Sequence, residues 1–373
     1  MKWVFWISAA VIVYAYLGYP AWLWLRSRWR TKPVLRNSIT PAVSIVMVVR
    51  DEEAALPSKL RNLTTLDYPR DWLEIVIVSD GSTDGTEAIL KDWTQRGEIR
   101  SILLPEHGGK ACGLNRAIPE VRGEVVLFTD VRQVIDRGAV RLLMENFADP
   151  KVGCASGELM LGSPEGGEST RGMGLYWRVE KKVRELESES GSTIGATGAL
   201  YAARRTLLTE LPADLILDDV FLPMGVVRQG FRVVFDPRAK AWDQPDLGSG
   251  REFWRKVRTL SGNYQLVQAA PWLMSSKNPV LWDFISHKLL RLFVPFALAG
   301  ALLSAAWIRG PFYDACLLVQ IGFYALSLLA GMQSRLGILG RVADAAFTFV
   351  VLNTAAVVAF RNFVLGRKTV WGR

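Results

Sequence analysis

The chain has 373 residues, enough for one catalytic domain of about 250 residues plus membrane segments. Half of the residues are hydrophobic, and they concentrate at both ends, whereas the middle alternates as in a soluble α/β protein. The net charge of +9 raises the question of nucleic acid, but the basic residues lie largely beside the apolar ends, where anionic lipid headgroups attract them. We therefore expect a soluble domain tethered to a membrane by its termini, with lipids rather than nucleic acid as partners.

The N-terminal segment is predicted to be a transmembrane helix over residues 1–25. From Trp3 to about Leu25 the chain is apolar, aromatic-rich and uncharged, close to the ~20 residues that a helix needs to cross hydrocarbon. A cleaved signal peptide would have a shorter apolar core ending in small residues. Basic residues follow from Arg26 to Arg36, and the positive-inside rule places them in the cytoplasm. The pattern indicates an integral, multi-pass protein of the bacterial cell membrane whose catalytic domain is cytoplasmic.

The C-terminal third is predicted to return to the membrane. Residues 251–288 mix Arg, Lys, Trp and Leu at amphipathic spacing, which favours interfacial helices. Residues 289–373 form a C-terminal transmembrane region with two or three membrane segments. The last apolar run, 343–360, either spans or is re-entrant, because a third span after two earlier ones would put a basic tail outside.

The middle, residues 26–250, is predicted to be an α/β domain. The runs "AVSIVMVV" and "LEIVIV" are almost continuously apolar, which is typical of strands buried on both faces. Two further strand candidates, "RSILLP" and "EVVLFT", follow after helix-length segments. This alternation predicts a mostly parallel sheet with helices on both faces, and ligands bind such sheets beyond the carboxyl ends of the strands.

Acids stand at two of these strand ends. Asp80 follows the second strand in "SDGSTDGT", and Asp130 follows the fourth in "FTDVRQ". A single Asp there is commonly a turn former, but two in register indicate a polar ligand with a cation. Asp84 is interpreted mainly as the cap of the following helix. Between the two acids, "HGGKACGLN" offers glycines and Lys110 to phosphate oxygens.

A second acidic pair lies later in the chain. Asp218 and Asp219 are adjacent in the apolar segment "LILDDVFLP". Partly enclosed carboxylates can have a raised pKa, which suits a base that takes a proton from a hydroxyl. Acids at a helix N-terminus are also favoured by the helix dipole, and the two interpretations are compatible.

In this order, the motifs from about residue 43 to 265 resemble the membrane-bound processive glycosyltransferases of family 2, which have the GT-A fold and include hyaluronan, cellulose and poly-N-acetylglucosamine synthases. The resemblance implies Asp219, with Asp218, as the catalytic acidic motif, and Asp130 as the metal ligand for Mg or Mn. The remaining roles that it implies are donor binding by Asp51, Glu52, Asp80, Asp84, Lys110, Asn115, Asp130 and Arg132, and acceptor-side contacts by Gly198, Ala199, Arg255 and Arg258.

Two departures from the family pattern stand out. Arg132 occupies the place of the second acid of the DxD motif, so either Asp130 holds the metal with the diphosphate and water, or Arg132 partly replaces the metal. In the helix that usually reads QxxRW, Arg258 matches the Arg, but the Gln and Trp are replaced by Arg255 and Thr259. The terminal "VWGR" is similar to a motif of hyaluronan synthases.

The sequence therefore predicts an inverting glycosyltransferase that moves a sugar from a nucleotide-sugar, most plausibly a UDP-sugar, to a growing glycan during exopolysaccharide or cell-envelope polysaccharide synthesis. Its expected partners are the donor, a glycan or lipid-linked acceptor, membrane lipids and other polysaccharide-assembly subunits. One alternative is a polyprenyl-phosphate glycosyltransferase that adds a single sugar to a lipid carrier. Another is a non-catalytic, nucleotide-binding membrane sensor.

Overall fold

The computed structural model describes residues 1–164, 167–168, 174–244, 249–332 and 337–367. The "VWGR" motif at 370–373 lies outside these residues. The strands are β1 (Val43–Val49), β2 (Leu73–Asp80), β3 (Arg100–Leu104), β4 (Val125–Phe128), β5 (Val134–Ile135), β6 (Val152–Ser163), β7 (Gly167–Glu168), β8 (Tyr201–Arg204) and β9 (Arg232–Asp243).

Helices surround this sheet and extend from both ends of the domain. They are α1 (Lys2–Trp29), α2 (Leu56–Thr64), α3 (Thr86–Gln95), α4 (Lys110–Ala117), α5 (Ala139–Glu145), α6 (Gly174–Ser190), α7 (Asp218–Arg228), α8 (Ser249–Ala269), α9 (Leu281–Trp307), α10 (Pro311–Ser327) and α11 (Ile338–Val364). The α9 helix begins eight residues before the apolar run predicted at 289, because Asp283 and His287 in its first turns pair with Arg26 and with acids of α6.

The strands form one mixed sheet of order β3-β2-β1-β4-β8-β6-β9-β5, with β7 paired to β6. Strands β3, β2, β1 and β4 are parallel, and β8 runs antiparallel between β4 and β6. The predicted parallel α/β half is therefore confirmed, and the second half adds the antiparallel pairs.

Every residue of β1 is buried, which explains its continuous apolar run. Ile45 and Met47 pack into the core on one face of the sheet, whereas Val46 and Val48 pack into the core on the other. Because both faces are covered by helices, polar ligands can reach the parallel strands only at their ends.

Three helices among the described residues are long and apolar enough to cross a membrane: α1, α9 and α11. The apolar helix α10 has 17 residues. Helix α1 packs along α9, and α11 packs against the amphipathic α8. The candidate spans therefore gather at one side of the domain, close to the ends of α6 and α8.

Candidate active site

The parallel strands bring several predicted site residues to one edge of the sheet. Strands β2 and β4 flank β1 in parallel register, so the residues that follow all three strands emerge together. Asp51, Asp80 and Asp130 lie at this edge.

The loops after β1 and β2 are fastened to each other through side chains. Asp51 has a positive φ of 52°, and its Oδ1 accepts a hydrogen bond of 2.7 Å from the Thr83 N–H. Asp84 Oδ2 accepts from the Glu53 N–H at 3.0 Å, and Glu53 in turn accepts from the Gly85 N–H at 2.9 Å. Asp84 thus joins the two loops, in addition to accepting from the first N–H of α3 through Oδ1. Burial is the largest single influence and would raise the pKa of Asp84, but the hydrogen bonds with Thr86 and the Glu53 N–H together hold this pKa below its ordinary value.

Asp80 is fully buried and organises the glycine loop before α4. Its carboxylate accepts hydrogen bonds from the N–H groups of Gly108 at 2.8 Å and Gly109 at 2.9 Å, and His107 Nδ1 lies 2.7 Å from its Oδ2. In this structure the Asp80 carboxylate is turned to the loop that presents Lys110. The donor-binding role expected for Asp80 stays a prediction.

Lys110 connects two carboxylates at the centre of the site. Its Nζ lies 2.9 Å from Asp130 Oδ1 and 3.2 Å from Asp218 Oδ1. Burial alone would lower the pKa of Lys110, but these carboxylates outweigh it and raise the pKa well above its usual range. Asp218 Oδ2 also accepts a hydrogen bond from the Tyr201 hydroxyl at 3.3 Å. Both oxygens of Asp218 are therefore occupied, one by Lys110 and one by Tyr201.

The carboxylates of Asp219 and Asp130 both approach Gly198. The Gly198 N–H donates to Asp219 Oδ2 at 3.2 Å, and the Asp219 backbone carbonyl accepts from the Ala196 N–H at 2.7 Å. A Cβ built on Gly198 would lie 3.5 Å from Oδ2 of both Asp130 and Asp219. Burial, followed by the charge of neighbouring Asp218, raises the pKa of Asp219 to about 6. The pKa of Asp219 is therefore shifted toward neutral pH, as a general base requires.

Arg132 is paired with an acid that the sequence did not point to. Its Nη2 lies 2.8 Å from Oδ2 of Asp243 at the end of β9, and the Gln133 side chain donates to the same oxygen at 3.1 Å. Arg132 remains close enough to Glu52 to stabilise its charged form. Burial and the charges of the surrounding acids nevertheless raise the pKa of Glu52.

Other predicted residues hold the frame of the site. Both ends of the Asn115 side-chain amide are bonded to the Leu211 backbone at 2.8 Å, which fastens α4 to the loop before α7. The Ala199 carbonyl accepts from the Thr129 hydroxyl at 2.8 Å. No described residue accepts a hydrogen bond from the side chain of Arg258.

Arg255 and Arg258, two of the three arginines of α8, lie close to the acidic centre. Burial lowers the pKa of Arg258, and the charges of Asp130, Asp218 and Asp219 oppose this shift, which places its guanidinium near all three acids. Arg255 lies 3.9 Å from Asp243 Oδ2 and also pairs with Glu252. Positive groups therefore cover the acidic centre on the side facing α8.

The acids fit a divalent cation that shares its coordination with a ligand. Among the described residues no group of three or more His, Cys, Asp or Glu side chains is close enough to form a complete cage. Asp130 is 42% exposed at its side chain, and its Oδ2 points toward the space beside Gly198. Mg²⁺ is commonly held by one or two carboxylates together with substrate phosphates and water, so Asp130 suits such a site.

Sequence reasoning missed several residues that shape this site. Lys59 is completely buried and donates to the Thr129 hydroxyl at 2.9 Å and the Gln133 carbonyl at 2.6 Å, which bracket Asp130. Asp243 and His107 are the other two. The apolar spacing of α2 gives no hint of a buried lysine, and the partners of all three are distant in sequence.

The fold and the site together place a buried acidic centre at the carboxyl edge of a parallel sheet, where such sheets bind their ligands. Residues 44–211 match the family model "Glycosyl transferase family 2". The chain is 21% identical over 252 residues to poly-beta-1,6-N-acetyl-D-glucosamine synthases of Staphylococcus aureus, covering 65% of this chain and 60% of that protein. It is 25% identical to the probable glycosyltransferase YdaM of Bacillus subtilis over 307 residues, 77% of this chain and 70% of that one.

A solved structure resembles the chain from end to end. The mannosyltransferase PcManGT from Pyrobaculum calidifontis, in complex with GDP-Man and Mn²⁺, superposes with a TM-score of 0.74, covering 98% of this chain and 99% of that chain at 24% identity. This likeness confirms the GT-A fold. Residues 44–211 therefore form a domain that matches glycosyl transferase family 2.

Proposed function

We propose that the protein is an inverting transferase that moves a sugar from a UDP-sugar to a glycan at the cytoplasmic face of the membrane, with Asp219 as the general base. One observation carries the assignment: Asp219 and Asp130 face the same small space across Gly198, and Asp219 is the carboxylate whose pKa is raised toward 6. A base must be free to accept a proton near working pH, whereas a metal ligand must stay ionised.

The proposed reaction uses these residues in turn. The acceptor hydroxyl lies beside Asp219, which takes its proton as the hydroxyl oxygen forms a bond to the anomeric carbon of the donor. The bond from that carbon to the diphosphate oxygen breaks on the opposite face, so the configuration inverts. Arg132 is placed to hold a negative oxygen of the diphosphate, while Lys110 keeps the carboxylates of Asp130 and Asp218 in position.

A divalent cation, Mg²⁺ or Mn²⁺, fits this scheme with Asp130 as its protein ligand. When bound, it would neutralise charge that develops on the leaving diphosphate. The Mn²⁺ in the complex of PcManGT supports the choice of metal. Lys110 keeps Asp130 oriented whether or not the cation is bound, because it holds Oδ1 and leaves Oδ2 to the open side.

The donor is proposed from the curated relatives. Poly-beta-1,6-N-acetyl-D-glucosamine synthase is named for an N-acetylglucosamine polymer, and we therefore place UDP-N-acetylglucosamine first among the donors to test. This chain spans 60% of the length of that relative. GDP-mannose is the competing donor, since PcManGT was solved with it.

A single transfer to a polyprenyl phosphate is the second candidate function. The family's acceptor-stacking Trp is replaced by Thr259, whose hydroxyl is bonded to the backbone carbonyl of Arg255 at 3.0 Å and offers no ring to a sugar. A transferase without that platform is suited to one addition. Organic extraction distinguishes the two functions, since a single sugar on a lipid carrier enters the organic phase, whereas a polymer does not.

The membrane arrangement follows from three spans. We propose that α1 enters the cytoplasm, α9 leaves it and α11 returns, so that the basic residues after α11 are cytoplasmic in agreement with the positive-inside rule. In this arrangement α10 and its flanking loops lie on the outer side. Labelling of single cysteines placed at Arg309 and Arg367 with an impermeant maleimide tests it: the first should react in intact cells and the second only after lysis. The reverse pattern would refute the arrangement.

The activity is tested with membranes that contain the protein and a panel of radiolabelled nucleotide sugars, with and without Mg²⁺ or Mn²⁺. We expect one donor to give product, addition of chelator to reduce it strongly, and Asp219→Asn to abolish it. Asp67→Asn is a matched control, since Asp67 is an exposed carboxylate paired with Arg141 away from the site. Equal product from wild type and Asp219→Asn would overturn the assignment of the base.

A further inference from the structure

A second concave site lies away from the catalytic centre, where α1 ends. It is a cavity of about 500 Å³ between the segment after α1, the end of α6 and the beginning of α9. Arg26, Arg30 and Lys32 line it, and Asp283 is the acid in its wall. Three cations and one carboxylate leave the lining with a net charge of +2.

The charges in this cavity are not equivalent. Arg26 Nη1 lies 2.9 Å from both oxygens of Asp283, and Arg26 Nε donates to the Ser190 hydroxyl at 3.0 Å. Arg26 is therefore neutralised and fixed in place. Arg30 and Lys32, by contrast, have no acidic partner among the described residues. These two side chains carry the uncompensated charge.

The wall of the cavity is held in place by hydrogen bonds from the Arg232 side chain to three backbone carbonyls. Arg232 donates to the carbonyls of Lys32 at 2.8 Å, Ser188 at 2.9 Å and Gly191 at 3.0 Å. One guanidinium thus joins the segment after α1 to the end of α6. A cavity whose wall is held in this way loses little conformational freedom when a ligand enters.

The location of the cavity favours a lipid as its ligand. It lies between the cytoplasmic end proposed for α1 and the first turn of α9, which is the level of the headgroups if both helices span. Trp29 and Trp282 flank it and are 72% and 59% exposed, as expected of aromatic residues at a membrane interface. Guanidinium and ammonium groups are the side chains that bind phosphate.

We propose that this cavity binds the phosphate of an anionic membrane lipid headgroup, at one site per chain, through Arg30 and Lys32. The proposal depends on the membrane location of α1 and α9 but not on the sugar, the acceptor or the base of the transferase. It distinguishes a stoichiometric site from the diffuse attraction of basic residues to a charged surface.

Native mass spectrometry of the full chain, purified in detergent, tests this proposal. Phosphatidylglycerol and phosphatidylcholine are titrated separately, and inorganic phosphate is added as a competitor. We expect one phosphatidylglycerol to be retained per chain, phosphatidylcholine to be retained weakly, and millimolar inorganic phosphate not to displace the lipid. Arg30→Gln with Lys32→Gln should weaken retention of phosphatidylglycerol by roughly tenfold or more, because each basic residue contributes to attraction of the anionic headgroup.

A matched double variant separates the cavity from overall charge. Arg61→Gln with Lys151→Gln removes one arginine and one lysine that are exposed and lie outside the cavity. This control should retain lipid like the wild type, and both variants should keep the circular dichroism of the wild type. Equal loss in the two variants, no loss in either, equal retention of both lipids, or displacement by inorganic phosphate would each overturn the proposal.

Discussion

The proposed base, Asp219, leads to a prediction about pH. Because burial and the charge of Asp218 raise the pKa of Asp219 to about 6, the carboxylate loses its proton only above that value. A base must be unprotonated, so we expect transfer to fall tenfold for each unit of pH below about 6 and to be constant above it. This fall is the acid limb of the pH–rate profile. Initial rates of labelled sugar transfer at saturating donor, from about pH 5 to about pH 8, measure it directly.

Two neighbouring charges should move the limb in opposite directions. The negative charge of Asp218 raises the pKa of Asp219, whereas the positive charges of Lys288 and Lys110 lower it. Asp218→Asn should therefore shift the acid limb to lower pH, and Lys288→Met should shift it to higher pH, each by on the order of one unit. The readout is the position of the limb, which a general loss of activity does not move. A limb that stays in place in both variants would refute the assignment of Asp219 to it.

The same pKa predicts the stability of the inactive variant. The folded-state pKa of about 6 exceeds the ordinary value of 3.8, so the folded protein binds the extra proton between these values and loses that advantage as the pH rises through 6. The difference of 2.2 units corresponds to up to ~3 kcal/mol of destabilisation by the ionised carboxylate at neutral pH. Asp219→Asn should therefore unfold at a higher temperature than the wild type at pH 7.5, and at a similar temperature near pH 4. A lower unfolding temperature at pH 7.5 would contradict the burial argument.

Three further substitutions test how the site is held. Lys59→Met removes both hydrogen bonds that bracket Asp130, the proposed metal ligand, so donor KM should rise about tenfold. Burial lowers the pKa of Lys59 to about 7, so wild-type stability should rise with pH between about 7 and 10.5, a dependence that the variant lacks. Gly198→Ala places a methyl group 3.5 Å from both active-site carboxylates, and kcat should fall by one to two orders of magnitude with an unchanged unfolding temperature, whereas Gly138→Ala, in open space, should be neutral. Asp80→Asn removes the charge that binds His107 and the glycine loop, so KM for the donor should rise more than kcat falls; a change in kcat alone would count against a loop-positioning role.

The buried strands and the helix cap at Asp84 could be predicted from local sequence, because they depend on burial and turn chemistry. The continuous apolar runs of β1 and β2 follow from their position between two layers of helices, and Asp84 is recognisable as a helix cap because its partner, the Thr86 N–H, is two residues away. The acids after β2 and β4 could be placed at one edge because parallel strands end on the same side of a sheet. These features need no information from distant parts of the chain.

Side-chain pairs between residues that are distant in the chain could not be predicted from local sequence. The charged helix α6 has the pattern of a solvated face, but Glu180 is 7% exposed and Glu187 is completely buried. Glu180 Oε1 lies 2.9 Å from His287 Nε2, and Glu187 Oε1 lies 2.7 Å from His287 Nδ1. His287 is about a hundred residues later in the chain than both acids. The charge pattern of α6 does not reveal which of its acids are buried, because burial of an acid depends on a partner that only the tertiary fold supplies.

Arg132 shows how such a partner changes the meaning of a motif. In the sequence, Arg132 occupies the position of the second acid of the family's DxD motif, which indicates the loss of a metal ligand. In the fold, Asp243 at the end of β9 pairs with Arg132 and Gln133. The positive charge of the Arg132 guanidinium is therefore already balanced by a buried carboxylate. A donor diphosphate would compete with Asp243 for a guanidinium that is 41% exposed, while Lys110 stays committed to Asp130. In the proposed reaction Arg132 therefore meets the charge on the leaving group, and Asp130, held by Lys110 through Oδ1, keeps Oδ2 for the proposed metal.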